Sequence, residues 1–225
     1  RHTQCPKTFT ITMDHVKHIN TLKPMPVTVA RGTYDTVVDN TVFEQFRSLR
    51  GAVAYCLLTR ADVAVYVVAL QRLQETTTKW TNVRALNAVL KRMQTHPQYI
   101  TYKRLGSDTS FPVCTDAAFK KEEDTGHAFK GTLVARVATN STQPNVIMPG
   151  NVDHSCHSFE FITKRVRNAT RSTFFAELVP LCDACDHALL LRLIAHEFSA
   201  GPLSAENARN LRDGSIPSPV KFRHY

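Results

Sequence analysis

Apolar residues recur at two different spacings along the chain, and the spacing changes about halfway. In the first half, apolar residues repeat every three or four positions, as in Phe46, Leu49 and Val53, which is the period of a helix. In the second half, short strand-like runs come first and one long helical pattern follows. The sequence therefore predicts an α/β protein with a helical part, residues 1–105, and a mixed sheet with helices, residues 106–225.

The first part is predicted to be mainly helical, with a short strand at each end. Asp14 stands directly before an apolar pattern and can cap the helix that follows it. The Val-rich stretch 63–70 is compatible with a helix or a buried strand, because periodicity alone does not separate the two. We place strands at residues 9–13 and 99–104, and helices at 15–22, from 43 onward, at 61–73 and at 81–93.

The second part is predicted to open with three strands and to continue with one long helix. Ser172 can cap this helix, which extends to about residue 198. Pro180 lies inside the pattern and should kink the helix or mark a late start. Ser204 can cap a short helix after it. We place strands at residues 111–117, 129–138, 157–163 and 219–225, with a polar hairpin loop at 139–153.

The composition is that of a basic globular protein. With 43% hydrophobic residues, the chain has enough apolar material for a core. Its 28 Lys and Arg residues exceed its 19 Asp and Glu residues, and the formal charge of +9 favours partners rich in phosphate, such as nucleic acids. A protein that is simply basic would have the same composition. A single Trp argues against a dedicated platform for stacking single-stranded bases.

The sequence contains neither a segment expected to span a membrane nor a signal expected to direct secretion. The longest apolar run, 63–70, is too short to span a bilayer, and no signal segment opens the chain. The six cysteines are widely spread, which is typical of reduced thiols and not of a disulfide scaffold. Because the chain begins with Arg1 and not Met, we expect either a piece of a longer protein or an excised domain.

Six short motifs are spread along nearly the whole chain. Three lie in the first part: Phe46-Arg47-Ser48-Leu49-Arg50-Gly51, Thr59-Arg60-Ala61-Asp62-Val63-Ala64 and Leu86-Asn87-Ala88-Val89-Leu90-Lys91-Arg92-Met93. Three lie in the second part: Cys114-Thr115-Asp116-Ala117-Ala118-Phe119, Thr163-Lys164-Arg165-Val166 and Ser172-Thr173-Phe174-Phe175-Ala176-Glu177-Leu178. In the same order, these motifs resemble those of the polymerase polyprotein of copia-type retrotransposons, the first three in the reverse transcriptase tail and the last three in the ribonuclease H domain.

The resemblance implies a thumb-like or connection-like segment in residues 1–105 and a ribonuclease-H-like domain in residues 106–225. Such a domain hydrolyses the RNA strand of RNA–DNA hybrids with two Mg²⁺ ions held by carboxylates. The resemblance assigns Asp116 and Glu177 as catalytic residues and metal ligands. Alternatively, Asp116 caps a turn at a strand end, and Glu177 is favoured only by the dipole of its helix.

The implied active site is expected to be incomplete in this chain. The family carries its third carboxylate at the end of the fourth strand, and here the matching strand runs into Tyr225. Asp183 and Asp186 lie further along the helix of Glu177 and are expected to point away from the site or beyond it. The polymerase aspartates of the family would lie before Arg1. We therefore expect no polymerase activity and little or no nuclease activity.

Basic residues are expected to grip the phosphates of the hybrid from one face of the domain. They form two groups, one after the strand of Asp116 and one before the helix of Glu177. A solvated, charged loop is the alternative interpretation. The residues are Lys120, Lys121, Lys164, Arg165, Arg167 and Arg171.

Other chemistries are less well supported. Cys182 and Cys185 have the spacing of metal ligands, and residues 153–157 are rich in Asp, His and Cys, but zinc would need both groups to meet in space. Cysteines three apart on a helix are ordinarily core residues. Nothing around Cys56 or Cys114 marks a thiol nucleophile. No phosphate-binding glycine loop or dinucleotide motif is present.

Two functions therefore compete. The first is a retrotransposon enzyme fragment whose partners are an RNA–DNA hybrid and the rest of the polyprotein, located in cytoplasmic virus-like particles or in the nucleus. The second is a non-catalytic module of the same origin that binds nucleic acid or has a structural role. Neither function involves a membrane.

Overall fold

The computed structural model describes residues 1–105, 109–118, 128–138, 156–166 and 172–217, together with the backbone of 221–224. The chain divides into two compact units, the N-terminal unit Arg1–Thr101 and the C-terminal unit Tyr102–Tyr225. The sequence placed the change of character between residues 105 and 106. Helices and strands are both present, so the predicted α/β class is confirmed at the level of a mixed α/β protein.

The N-terminal unit combines a small sheet with helices. The stretch 61–73, which periodicity left ambiguous, is a 3₁₀ turn followed by a helix. The elements are β1 (His2–Gln4), β2 (Ile11–Met13), α1 (Val16–Thr21), α2 (Asn40–Tyr55), 3₁₀ turns at Cys56–Leu58, Ala61–Val63 and Glu75–Thr77, α3 (Ala64–Gln71), α4 (Trp80–Thr95) and β3 (Ile100–Tyr102). The three strands pair in the order β1-β2-β3.

The helices of the N-terminal unit surround one continuous apolar core. The predicted faces are the ones that pack, because Phe46, Val53, Leu86 and Leu90 are all fully buried. Capping follows the sequence as well. The Asp14 carboxylate accepts a hydrogen bond from the Val16 amide at the start of α1. The core comprises Ile19, Met25, Val38, Phe43, Phe46, Leu49, Val53, Cys56, Val63, Val67, Leu70, Trp80, Val83, Leu86, Val89, Leu90 and Met93.

Arg60, in the Thr59-Arg60-Ala61-Asp62 motif, is a fully buried charge at the edge of this core. Its guanidinium donates two hydrogen bonds to the Asp62 carboxylate, at 2.8 and 2.9 Å, and one to the Met93 carbonyl oxygen at 2.9 Å. The hydrogen bonds from Arg60 hold the pKa of Asp62 below its usual value, and the nearby Arg92 adds to this effect. The motif therefore joins the turn after α2 to the C-terminal end of α4.

Two polar side chains of α4 hold the segment that follows α1. The Asn87 side chain accepts a hydrogen bond from the Met25 amide and donates one to the Met25 carbonyl. The Gln94 amide donates to the carbonyl oxygens of Ile19 and Leu22, which lie at the C-terminal end of α1. These bonds satisfy backbone groups that a helix end and an extended segment leave without partners.

The C-terminal unit contains a four-stranded mixed sheet. Its strand order is β6-β5-β4-β7, so the strand that comes last in sequence lies beside the first. The pairs β4–β5 and β5–β6 are antiparallel, whereas β7 runs parallel to β4. The elements are β4 (Thr109–Ala118), β5 (Phe129–Ala138), β6 (Cys156–Arg165), α5 (Thr173–Ala200), α6 (Ala205–Arg212) and β7 (Lys221–His224).

Helix α5 packs on one face of this sheet through small side chains. Ala184, Ala188 and Leu191 contact Phe111, Val113 and Val134 in one buried cluster, and Ala176 contacts Ala128 and Val166 in another. The Ser172 hydroxyl caps α5 by accepting from the Phe175 amide. The helix begins at Thr173, so the predicted late start at Pro180 is wrong, and Pro180 lies buried inside it.

Candidate functional site

Asp116 lies in β4, which has a neighbour on each side in the sheet. Its cross-strand partner in β5 is Gly131, where an added Cβ would have no heavy atom within 4 Å. Because side chains alternate along a strand, Asp116 points to the opposite face from Val113 and Ala117, which face α5. The carboxylate is exposed, with an open position beside it.

Glu177 is an exposed residue near the start of α5. The residue before it, Ala176, is fully buried and packs with Ala117, the residue after Asp116. The backbones that carry the two carboxylates therefore approach one another in the same part of the C-terminal unit. The structure thus brings the two sequence-predicted residues into one region, with Asp116 on the face of the sheet away from α5.

Strand β7 stops short of Asp116 in the part of the chain that the structure describes. The parallel ladder runs from the pair Ser110–Lys221 to the pair Val113–His224. Within the described residues, no group of three or more His, Cys, Asp or Glu side chains is arranged to hold a metal ion. Asp116 and Glu177 therefore belong to no such group among the described residues.

Each of the two residues has the chemistry of a Mg²⁺ ligand, but their placement does not direct both at one ion. Carboxylate oxygens are the ligands that Mg²⁺ takes from proteins, and one or two carboxylates hold this ion when substrate phosphates complete its shell. Asp116 points to the face of the sheet away from α5, whereas Glu177 lies on α5. Two-metal hydrolysis needs more carboxylate oxygens than these two residues offer.

The predicted basic group is only partly described. Lys164 and Arg165 are neighbours in β6, and strand alternation sends their side chains to opposite faces of the sheet. They therefore do not line one face together. The predicted residues Lys120, Lys121, Arg167 and Arg171 lie outside the described residues, as do residues 153–155 of the Asp-, His- and Cys-rich stretch.

A polar groove between α5 and the strands β5 and β6 was not predicted from the sequence. Lys130 forms an ion pair with Asp183, and the His187 Nε2 atom pairs with the Glu160 carboxylate. Asp183, which was expected to point away from the Asp116 and Glu177 site or to lie beyond it, lines this groove. The groove encloses a cavity of about 350 Å³, lined by Lys130, Thr132, Ile162, Lys164, Asp183, Ala184, Asp186, His187 and Leu190.

The groove has only a weak signal in the sequence. Asp183 and His187 are four residues apart and therefore share a face of any helix. Their partners come from two different strands, and the register that aligns Lys130 with Lys164 depends on the sheet. The spacing in the sequence therefore shows that Asp183 and His187 share a helix face, but it does not identify Lys130 and Glu160 as their partners.

None of the six cysteines, all of which lie within the described residues, forms a disulfide bond. The hydrogen bond with the Thr8 side chain lowers the pKa of the exposed Cys5 thiol. Burial raises the pKa of Cys56, Cys114 and Cys156, which disfavours their thiolate forms. Cys182 is exposed, so its expected place in the core is wrong, and Cys185 is half-buried.

Comparison with known proteins adds no relative. Neither a family model, nor a curated protein, nor a solved structure matches this chain. Among the residues that the structure describes, no helix is both long and apolar enough to cross a membrane.

Proposed function

We propose that the chain derives from the polymerase polyprotein of a copia-type retrotransposon, with a ribonuclease-H-like domain in its second half. The observation that carries the proposal is the order of the sheet, β6-β5-β4-β7, with three antiparallel strands, a long helix, and a last strand parallel to the first. A ribonuclease-H-like domain opens with this order of elements. Asp116, which belongs to one of the matching motifs, lies on β4, between β5 and β7.

The proposed reaction is hydrolysis of RNA in an RNA–DNA hybrid, at a low rate in this chain. Asp116 and Glu177 are exposed, so a substrate phosphate can reach them. Their role would be to hold a hard cation at that phosphate. Low activity follows from the number of carboxylates, because the described residues offer two where two-metal hydrolysis draws on more.

The first unit is proposed to be the tail of a reverse transcriptase without polymerase chemistry. The residues that carry the resemblance have structural roles here. Arg60 and Asp62 bind each other beside the core, and Leu86 and Leu90 are buried in it. Such roles suit a supporting subdomain. The proposed location, cytoplasmic virus-like particles or the nucleus, rests on the resemblance alone.

A second candidate function is a non-catalytic module that binds nucleic acid. The observation that favours it is the same pair of carboxylates, which has no third member among the described residues. The net charge of +9 supports binding in either case. The two candidates share the substrate and differ in whether the RNA strand is cut.

A cleavage assay separates the two candidates. The whole chain is incubated with an end-labelled RNA–DNA hybrid and Mg²⁺, and the products are resolved by length. The enzyme proposal expects slow cleavage that both Asp116→Asn and Glu177→Gln abolish while hybrid binding persists. Arg47→Gln, on an exposed ion pair of the N-terminal unit, is the control that keeps the wild-type rate.

Each outcome of this assay decides a point. Binding without cleavage, in wild type and variants alike, supports the non-catalytic module. Cleavage that survives both carboxylate substitutions excludes Asp116 and Glu177 as its catalysts. Failure to bind the hybrid contradicts both candidates.

A further inference from the structure

Two lysines stand directly opposite each other on neighbouring strands of the C-terminal unit. Lys130 of β5 and Lys164 of β6 are cross-strand partners, and both line the groove beneath α5. Like charges in this position destabilise a sheet unless an anion lies between or beside them. The sheet therefore carries a local excess of positive charge at this point.

One of the two lysines is neutralised from within the chain. Lys130 is mostly buried, with 14% of its side chain exposed, and it forms an ion pair with Asp183 of α5. Lys164 is exposed and forms no ion pair with the residues that the structure describes. The Asp183 carboxylate thus occupies only one side of a two-lysine site.

The remaining walls of the groove suit an anion that carries hydrogen-bond acceptors. Thr132 contributes a hydroxyl group from the same face of β5. His187 is held in place by its bond to Glu160, which lies on the strand that carries Lys164. The cavity of about 350 Å³ can hold a phosphate group and the sugar attached to it.

The groove lies beside β4, the strand that carries Asp116. In the β4–β5 register, Lys130 pairs with Ala117, the residue next to Asp116. Neighbouring strands are about 4.8 Å apart, so the lysine pair lies one to two strand spacings from β4. Lys130 and Lys164 share the α5 face of the sheet with Ala117, so a nucleic-acid strand bound in the groove would lie on that face, opposite to the one that Asp116 faces.

We propose that Lys130 and Lys164 bind a backbone phosphate of nucleic acid, and that Asp183 occupies Lys130 until this phosphate displaces it. The inference rests on the proposed function for its substrate class, an RNA–DNA hybrid. Asp183 is then an internal competitor of the substrate. Removal of its charge exposes both lysines to the phosphate.

The experiment is a set of binding titrations with the whole chain and a fluorescently labelled RNA–DNA hybrid between 50 and 200 mM salt. Lys130→Met and Lys164→Met should each weaken binding. Each should also make the salt slope, which is the slope of the logarithm of the binding constant against the logarithm of salt concentration, less steep by about one. Asp183→Asn should tighten binding most at 50 mM salt, and this gain should shrink about threefold by 200 mM, which is the change expected of one phosphate contact over this range. Circular dichroism confirms that each variant is folded.

Three further variants make the test specific. Asp186→Asn removes the same charge from the same groove, and we expect a smaller gain in affinity because Asp186 does not pair with Lys130. The double variant Lys130→Met with Asp183→Asn should show no gain over Lys130→Met alone. Arg212→Met, an exposed cation on α6, should leave the salt slope unchanged.

The source of the phosphate is decided by a second probe. Inorganic tripolyphosphate is titrated against the chain, and the ring signals of His187 are followed by nuclear magnetic resonance. Displacement of tripolyphosphate by the hybrid supports a nucleic-acid site. Binding of tripolyphosphate without competition by the hybrid overturns the assignment.

The outcomes also separate this inference from the proposed function. If the hybrid binds with a steep salt slope but the lysine and Asp183 variants match the wild type, the groove assignment fails and the proposed function stands. If the variants behave as expected but duplex DNA binds as well as the hybrid, the groove assignment stands and the hybrid-specific function fails. An absence of all nucleic-acid binding overturns both.

Discussion

The two units of the chain bury different kinds of side chain. The core of the N-terminal unit is built from large residues such as Phe46, Trp80 and Met93. The described clusters of the C-terminal unit are smaller, and Ala184 and Ala188 supply the helix side of the main one. Burial of a large apolar side chain contributes about 1.5–3 kcal/mol, and an alanine contributes much less.

This difference indicates which unit can change its surface without losing its fold. In the N-terminal unit, even the charged Arg60 is buried, and each of its three guanidinium nitrogens donates a hydrogen bond. In the C-terminal unit, α5 lies close to the sheet through alanines, and charged pairs border the contact. A groove with partly exposed Lys, Asp, Glu and His side chains remains beside it. Chemistry is therefore expected in the C-terminal unit and support in the N-terminal one.

The largest expected effect is the loss of the buried guanidinium. Arg60→Ala should lower the free energy of unfolding by about 3–5 kcal/mol, because it removes a packed side chain and leaves Asp62 and the Met93 carbonyl without their donor. Urea unfolding followed by circular dichroism measures the change. Arg47→Ala is the control, because its ion pair with Glu44 is exposed and worth about 0.5 kcal/mol or less. Equal effects of the two variants would contradict a supporting role for Arg60.

Overpacking tests the close approach of α5 to the sheet. Ala188→Leu should destabilise the C-terminal unit by about 1–3 kcal/mol, because a 4% exposed alanine in a packed seam leaves no room for three more carbons. The same substitution at Ala200, exposed at the end of α5, should change stability by less than about 0.5 kcal/mol. Thermal unfolding of both variants provides the measurement. A neutral Ala188→Leu would show that the seam is loosely packed.

Much of this architecture could be predicted from the sequence, because local signals dominate where they are strong. Alternation and flanking polar residues placed β5 at its observed ends, and Ser172 was correctly identified as a cap. The strand β1 was missed because His2, Thr3 and Gln4 carry no apolar pattern. The groove was missed because Lys130, Glu160 and His187 meet only through the sheet register.

Acid should weaken the contact between Arg60 and Asp62. The folded pKa of Asp62 lies below its unfolded value, mainly through the hydrogen bonds from Arg60. Its stabilising effect is therefore complete above the unfolded pKa, about 3.9, and is lost as the pH falls through the folded pKa. The melting temperature measured from pH 6 to pH 2 should drop in wild type, with a shallower drop in Asp62→Asn. If the melting temperature of Asp62→Asn falls between pH 6 and pH 2 as steeply as that of the wild type, Asp62 does not contribute to the loss of stability in acid.

The smallest expected effect concerns the charged pair at the groove. Glu160→Gln should cost less than about 1 kcal/mol, since the side chains of Glu160 and His187 are partly exposed and solvent screens their attraction. Urea unfolding at pH 7 tests this. If the free energy of unfolding falls by several kcal/mol, the pair of Glu160 and His187 is needed for the fold and does not merely line a binding site.

The central claim is that the C-terminal unit carries a nucleic-acid surface of the ribonuclease H type. The most direct measurement is the affinity of the whole chain for an RNA–DNA hybrid and for a DNA duplex of the same sequence, at several salt concentrations. The account predicts tighter binding to the hybrid, and it predicts that the logarithm of the binding constant falls linearly with the logarithm of salt concentration. An affinity that does not change with salt, or equal binding of the two duplexes throughout, would contradict it.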